Sequence, residues 1–518
     1  MSDFPIITIL TLVPLLGGFI VLGLGSAQSR FARPLALSFS FLALALVGLV
    51  WKAFDLENTD LQFVERHPWI TALNAEYFVG VDGLSLVMIV LSALVTPMAM
   101  FCSPKTTEKA QLYFGLFLLL EAGLFGTFTA LSFVHWFLFW ELSLVPAFFL
   151  VKLWGGSQRG PAATQFFVYT MVGSVAMLLA FLAIYLATGK FDFPSLAELG
   201  QANRWSAYFN VRLGWYSISA DTITLIIFGG VFLGFAVKVP LVPFHTWLPA
   251  TYAEAPTGTT MVLTGLMSKM GVYGFLRILL PLFPEQVHTL LTPLLWLTIL
   301  TIVCSAAAAF AQRDLKRLFA YSSINHLGYC LLGVLAVAGS SGNGAHSATD
   351  RAAALDGVIL QMFNHGLTAV TLFAFLAFFE RRSGGLRGVD DFGGLRKVAP
   401  VFCGLMGISM FASLGLPGLN GFVGEFLIFK GTFALTAWAA ALATPGLLIT
   451  AIFLLRLLER VFNGPLNPKW ANWPDLTWRE RAIIVPATVL MFALGVYPRL
   501  LTDVINPTVT KMIEQFQM

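Results

Sequence analysis

Phe235-Ala-Val-Lys238-Val-Pro240-Leu-Val-Pro243-Phe-His245-Thr-Trp247-Leu-Pro249 decides the fold. It closes an apolar segment, 221–240, that is long enough to cross a bilayer, for which about 20 residues suffice. Proline removes a backbone donor and clashes with the preceding turn. Carbonyls freed in this way at membrane depth are tolerated only inside protein or along water. A lysine at such depth costs at least about 2.5 kcal/mol and is functional by default. The stretch therefore reads as a spanning helix that breaks in a protein interior and carries a titratable cation, Lys238, at the break.

The rest of the chain fits a lipid solvent. Of 518 residues, 57% are hydrophobic and only 11% charged, against roughly 25% charged in soluble domains. Mean hydropathy is +0.80, and the 48 phenylalanines suit lipid-facing helix surfaces. A window of about 20 apolar residues gives about 14 spans. They lie near 5–25, 34–54, 84–103, 110–130, 132–153, 163–188, 221–240, 255–281, 288–311, 316–339, 357–380, 400–435, 437–463 and 482–502. The N-terminal apolar run lacks a basic flank, so it is a span and not a cleaved signal. The 400–435 segment is too long for one straight span, ~54 Å at helical rise, and contains Gly415-Leu-Pro417-Gly418-Leu-Asn420-Gly421.

Counting five spans from 110 and five from 288, the broken span is fourth in each set. Matching interruptions in two halves mark an internal repeat and a transport pathway. An odd number of spans per repeat makes the repeats inverted. The expected fold is thus an all-α integral membrane protein of about 14 transmembrane helices, with two inverted five-helix repeats and one broken helix in each. Residues 1–109 hold N-terminal helices, 110–282 the first repeat, 283–463 the second, and 464–518 a loop and a C-terminal transmembrane helix. Loop lysines and arginines number eighteen on one side, from Arg30, Arg33, Lys105 and Lys109 to Arg479 and Arg481, with Arg313, Lys316 and Arg317 among them. The other side has eight, including Arg66, Arg212, Arg351 and Lys511. The basic side is placed inside, with both termini outside.

Several function classes are excluded. Cys102, Cys304, Cys330 and Cys403 stand alone, without the spacing of an iron–sulfur or zinc site. No glycine motif for a phosphate or dinucleotide is present. No cluster of metal ligands is visible, and a net charge of +4 points to no nucleic acid. The expectation is no cofactor and no metal on this chain. What remains are charges inside spans: Lys238, Lys269, Arg277, Lys430 and Arg456, with Glu121, Glu141 and Glu425. Glu141 lies ~14 Å into its span and Lys269 ~16 Å past Gly258, both near the middle of a ~30 Å core. Lys430, Arg277 and Arg456 are nearer span ends, where long side chains snorkel. His326 and His365 fall in adjacent spans, in line with a relay. His245 sits in the break, where capping is the alternative role. His67, His288 and His346 read as loop residues. Lysine and histidine change charge when desolvated, so this set suits protons, with Glu141 and Lys238 as a switch pair.

Longer motifs now carry a resemblance. Phe139-Trp-Glu141-Leu-Ser-Leu-Val-Pro146, the 235–249 stretch with Glu254-Ala-Pro256-Thr, Lys269-Met-Gly271-Val-Tyr273-Gly274, Asp314-Leu-Lys316-Arg317 through His326-Leu-Gly328, and Asn364-His365-Gly366 resemble the antiporter-like subunits of complex I. The resemblance covers about 75–465. It implies Glu141 as modulating acid, Lys238 as pump residue, Lys269 as connecting residue, His326 and His365 along a polar axis, and Glu425 as exit-side proton carrier. In Phe422-Val-Gly-Glu425-Phe the glutamate is typical of the M branch, where sister branches carry lysine. Pro249-Ala250-Thr-Tyr252-Ala departs from the Asp-Ala-His run common in that branch.

The implied function is proton translocation within an NADH (or ferredoxin):quinone oxidoreductase, with redox centres on other subunits. The implied partners are the other membrane subunits, sister antiporter-like subunits included. The location is a bacterial cell membrane or a thylakoid-type membrane. The alternatives are a subunit of a multisubunit Na⁺/H⁺ antiporter or of a membrane-bound hydrogenase complex.

Overall fold

The computed structural model describes residues 4–104, 108–209, 211–213, 216–340 and 348–517. Lys105 and His346 lie outside the described residues, as does the side chain of Arg212. The chain opens with α1 (Ile6–Leu22) and α2 (Ala32–Ala53), then a hairpin of β1 (Gln62–Ile70) and β2 (Ala75–Val81). The hairpin is antiparallel and pairs, for example, His67 with Tyr77. Strands did not emerge from the apolar window, because a span search is blind to short polar segments between spans. The hairpin braces the start of α1. Its Glu65 carboxylate accepts from the N–H of Ile7 (2.8 Å) and of Thr8 (3.2 Å), filling donors that a helix start leaves open.

Helices α3 (Gly83–Cys102), α4 (Ala110–Thr129), α5 (Phe133–Trp154) and α6 (Arg159–Thr188) follow. Asp82 caps α3, its carboxylate accepting from Ser85 N–H at 3.0 Å. Two short helices, α7 (Phe193–Gln201) and α8 (Trp205–Tyr208), and a small hairpin, β3 (Val211–Leu213) with β4 (Tyr216–Ile218), lead to α9 (Ala220–Lys238). The helix stops at Lys238, and the chain turns before re-entering α10 (Trp247–Glu254). Trp247 folds back to donate its indole N–H to the freed carbonyl of Val237 at 3.0 Å. Then come α11 (Thr257–Leu282), the short α12 (Pro284–Thr289), which holds His288, and α13 (Leu291–Ala311).

The second half continues with α14 (Leu315–Gly339) and α15 (Ala348–Ser383). The 400–435 segment is split into α16 (Pro400–Leu414) and α17 (Asn420–Leu435). Gly415 ends α16 with φ +79°, a left-handed conformation that glycine takes without strain. The chain finishes with α18 (Ala437–Phe462), α19 (Trp478–Val496) and α20 (Arg499–Gln517).

Among the described residues, eleven helices are long and apolar enough to cross a membrane, and the bent pair α19 and α20 makes twelve. The other two expected spans are α1, only 17 residues long, and the divided 400–435 segment. The expected 482–502 span is corrected: α19 ends at Val496, and α20 leaves at a bend of 62° after Pro498. Proline cannot donate into the preceding turn, so the helix cannot continue through it. The interior is built from α4, α11, α14 and α15, each buried over most or all of its length, while α2, α6 and α18 present apolar faces outward. The buried helices carry most of the interior charges.

Candidate functional site

Lys238 is the last residue of α9 and is buried. Helix C-termini carry partial negative charge, so the break offers a cation a favourable seat. Its ammonium lies 4.6 Å from the centre of the Trp140 ring, and its Nζ has no hydrogen-bond partner. Trp140 is held in turn by donating to Ser174 Oγ at 3.0 Å. Glu141, the next residue on α5, acts electrostatically on Lys238. One of its carboxylate oxygens is buried without a partner. The expected Glu141–Lys238 pair is therefore not a direct ion pair here; an aromatic ring takes the contact position.

On the other side of α9 lies α11. A Cβ on Gly271 would stand 2.5 Å from Val239 Cγ2 and 2.9 Å from its backbone nitrogen, so only glycine lets α11 approach the break so closely. Lys269 sits between two π-helical turns, Leu263–Met267 and Phe275–Leu279, which often mark functional positions. It is fully buried and donates to the carbonyl of Thr264.

From Lys269 a row of polar side chains continues, although among the described residues no hydrogen bond joins its two histidines and His326 Nδ1 has no partner with hydrogen-bond geometry. Its Nζ is 2.8 Å from His365 Nδ1 on α15. The His365 and His326 rings lie 5.0 Å apart, centre to centre. His326 Nδ1 is 2.8 Å from Glu425 Oε1, and its Nε2 is 3.3 Å from Ser413 Oγ. Gln361 donates to Glu425 Oε1 at 3.0 Å. Glu425 lies in the second turn of α17. Asn364 and Asn420 bond each other's backbone carbonyls, at 2.7 and 3.3 Å, and pin the start of α17 to the middle of α15. The structure thus joins Lys269, His365, His326 and Glu425 in one line, and leaves Glu141 and Lys238 as a separate group near it.

Sequence reasoning missed the amides Gln361, Asn364 and Asn420 and the ring of Trp140. A signal existed: Gln361 is four residues before His365, so both lie on one helical face. It also misplaced some charges. Lys316, counted as a loop residue, is buried in the first turn of α14 and pairs with Glu380 at 2.8 Å. Arg351, also counted as loop, is buried in α15 and donates to Ser340 O at 2.8 Å. His67 lies on β1. Arg277 does not snorkel but pairs with the buried Asp82, while Lys430 and Arg456 are exposed. Burial by itself would raise the proton affinity of Asp82, but the Arg277 charge and hydrogen bond outweigh it and hold the carboxyl below its usual range. Glu121 is fully buried on α4, where Ser40 donates to it at 2.9 Å. Among the described residues, no group of three or more His, Cys, Asp or Glu is placed to hold a metal ion.

Two cavities meet this interior from opposite ends of α11. One of about 540 Å³ is lined by Glu254, Thr257, Lys316, Glu380 and Arg387. The other, about 140 Å³, reaches Asp82, Arg277 and Lys511.

Residues 130–451 match the family model described as NADH:quinone oxidoreductase/Mrp antiporter, transmembrane. The chain belongs to this family. It is 36% identical over 99% of its length to the NADH-quinone oxidoreductase subunit M of Rhodobacter capsulatus, of which 97% is covered. It is 35% identical to an NAD(P)H-quinone oxidoreductase chain 4 of Thermosynechococcus vestitus, over 98% of this chain and 92% of that one. Among solved structures, a chain of respiratory complex I from Thermus thermophilus superimposes with a TM-score of 0.82 at 27% identity, covering 98% and 99% of the two chains. Within the family, then, the likeness to M-type chains runs nearly end to end, beyond the 130–451 core.

Proposed function

We propose that this chain is a proton-translocating M-type membrane subunit of a respiratory NADH:quinone oxidoreductase, working beside sister antiporter-like subunits in a bacterial cell membrane. Quinone reduction on other subunits drives it. The observation that carries the reading is the row of buried side chains Lys269, His365, His326 and Glu425. Each member exchanges a proton with its neighbour by a small movement. Glu141 sets the charge state of Lys238: a carboxylate nearby favours the ammonium, and its withdrawal favours proton release. Lys238 then loads Lys269, the histidines pass the charge on, and Glu425 carries it to the far side.

The helices fall into two five-helix units, 110–282 and 283–463, within about 14 spans. Their inverted relation explains why α9 ends on a lysine and α17 begins near a glutamate. The cavity at Glu380 and Lys316 admits water to the first unit.

The deciding experiment replaces Glu425 in the assembled complex and measures proton uptake into vesicles, normalised to complex content. Glu425→Gln keeps shape and hydrogen bonds but cannot titrate, so pumping is expected to fail. Glu425→Lys titrates, so part of the activity is expected to remain. If the glutamine variant pumps normally, Glu425 carries no proton. A cation/proton antiporter of the same fold would instead move protons without NADH or quinone, and would respond to a sodium gradient.

A further inference from the structure

We propose that Arg313, Arg456 and Arg460 form a binding site for the phosphate head group of an anionic phospholipid, at the ends of α13 and α18. The three arginines line a cavity of about 260 Å³ whose remaining walls include Phe310, Phe453 and Leu457. Among the described residues, no carboxylate lines it. Arg460 is paired with Asp390 at 2.7 Å, just outside the cavity. Among the described residues, neither Arg313 nor Arg456 makes an ion pair, so three guanidiniums against one carboxylate leave a charge of +2.

The site opens on an apolar outer face of the chain. Ile452 and Leu455 of α18, beside Arg456, are exposed, and so is Phe310 of α13. The Arg456 guanidinium lies 5.1 Å over the Phe310 ring. Arg456 is six residues before the end of α18, about 9 Å of rise. Snorkelling alone accounts for one such arginine. It does not account for three converging on one concave pocket with an apolar floor. Phosphate takes guanidinium groups bidentately, and basic pockets between transmembrane helices hold anionic head groups. The apolar walls continue from the pocket along α18 to the exposed Leu448, a path for an acyl chain.

The test uses the assembled complex in phosphatidylcholine vesicles containing a photoreactive phosphatidylglycerol, with labelled peptides mapped by mass spectrometry. The 453–460 region is expected to label with the phosphatidylglycerol probe and not with a photoreactive phosphatidylcholine. Arg456→Gln and Arg313→Gln are each expected to lower the labelling about fivefold, the worth of one basic residue at an anionic surface. Arg456→Lys keeps the charge and should retain most of it. Equal labelling by the two probes, or unchanged labelling in Arg456→Gln, overturns the site. Loss of label on adding inorganic phosphate would show a site for free phosphate and also overturns it.

Discussion

The two broken helices hold their charges differently. At the break after α9, Lys238 rests on a ring and has no hydrogen-bond partner, and Glu141 acts on it only through space. At the break before α17, Glu425 accepts from Gln361 and lies 2.8 Å from His326, and the row of side chains behind it runs back to Lys269. A charge with no fixed partner can change state or position at little structural cost. A charge in a connected network moves only if its neighbours respond. The proposed function makes the first break a switch and the second a wire.

That contrast can be broken at its strongest point first. His365→Ala cuts the wire in the middle, and pumping in the assembled complex should fall about 100-fold, the scale of a lost proton-transfer group. Retained pumping would mean the line is not the route. Lys238→Ala or Glu141→Ala should also cut pumping strongly, about tenfold or more, with quinone reduction falling alongside in a coupled complex. Because neither residue gives up a hydrogen bond, complex content on native gels should stay near wild type. By comparison, breaking a fully paired buried ion costs about 3–5 kcal/mol. Severe assembly loss in Lys238→Ala would show that the first break is a structural pair after all.

A smaller effect sharpens the contact between α9 and α11. Gly271→Ala forces a methyl into Val239 and should destabilise the complex by about 1–3 kcal/mol, seen as a lower unfolding temperature. The smallest effect concerns acid. Asp82 is held below its normal range, so its contribution is present above the unfolded value of 3.8 and lost only as pH falls through the lower folded value. In Arg277→Met burial dominates and lifts the folded-state value above 3.8, so the variant is less stable than wild type near pH 7 and recovers as Asp82 takes up a proton. From pH 7 down to pH 4 the gap in thermal stability between variant and wild type should narrow.

Much of this was legible in the residues. Apolar runs located the helices, and Pro240, Pro243, Gly415 and Pro417 located the breaks, because lipid leaves backbone few options. Depth along a helix singled out Glu141 and Lys269. What sequence spacing could not supply was lateral: which faces meet. Lys316 looked like a loop charge because its partner, Glu380, is 64 positions away. Trp140 passed unremarked inside the Phe139–Pro146 motif, because spacing along α5 does not show that its ring meets Lys238. The Pro498 bend was readable as a proline and missed because the apolar window ran straight through it.

Helix α20 ties distant parts of the chain together in an order that synthesis must respect. Thr508 of α20 accepts the N–H of Gly83 at 2.8 Å, across 425 positions of chain, and α20 packs on α3 and α15. The end of α3 that bears Asp82 leaves the ribosome more than 400 residues before α20, which supplies part of its cover. Before α20 is made, the Asp82–Arg277 pair lacks that part of its cover, so a chain cut short of α20 should leave a charged seam more open to water.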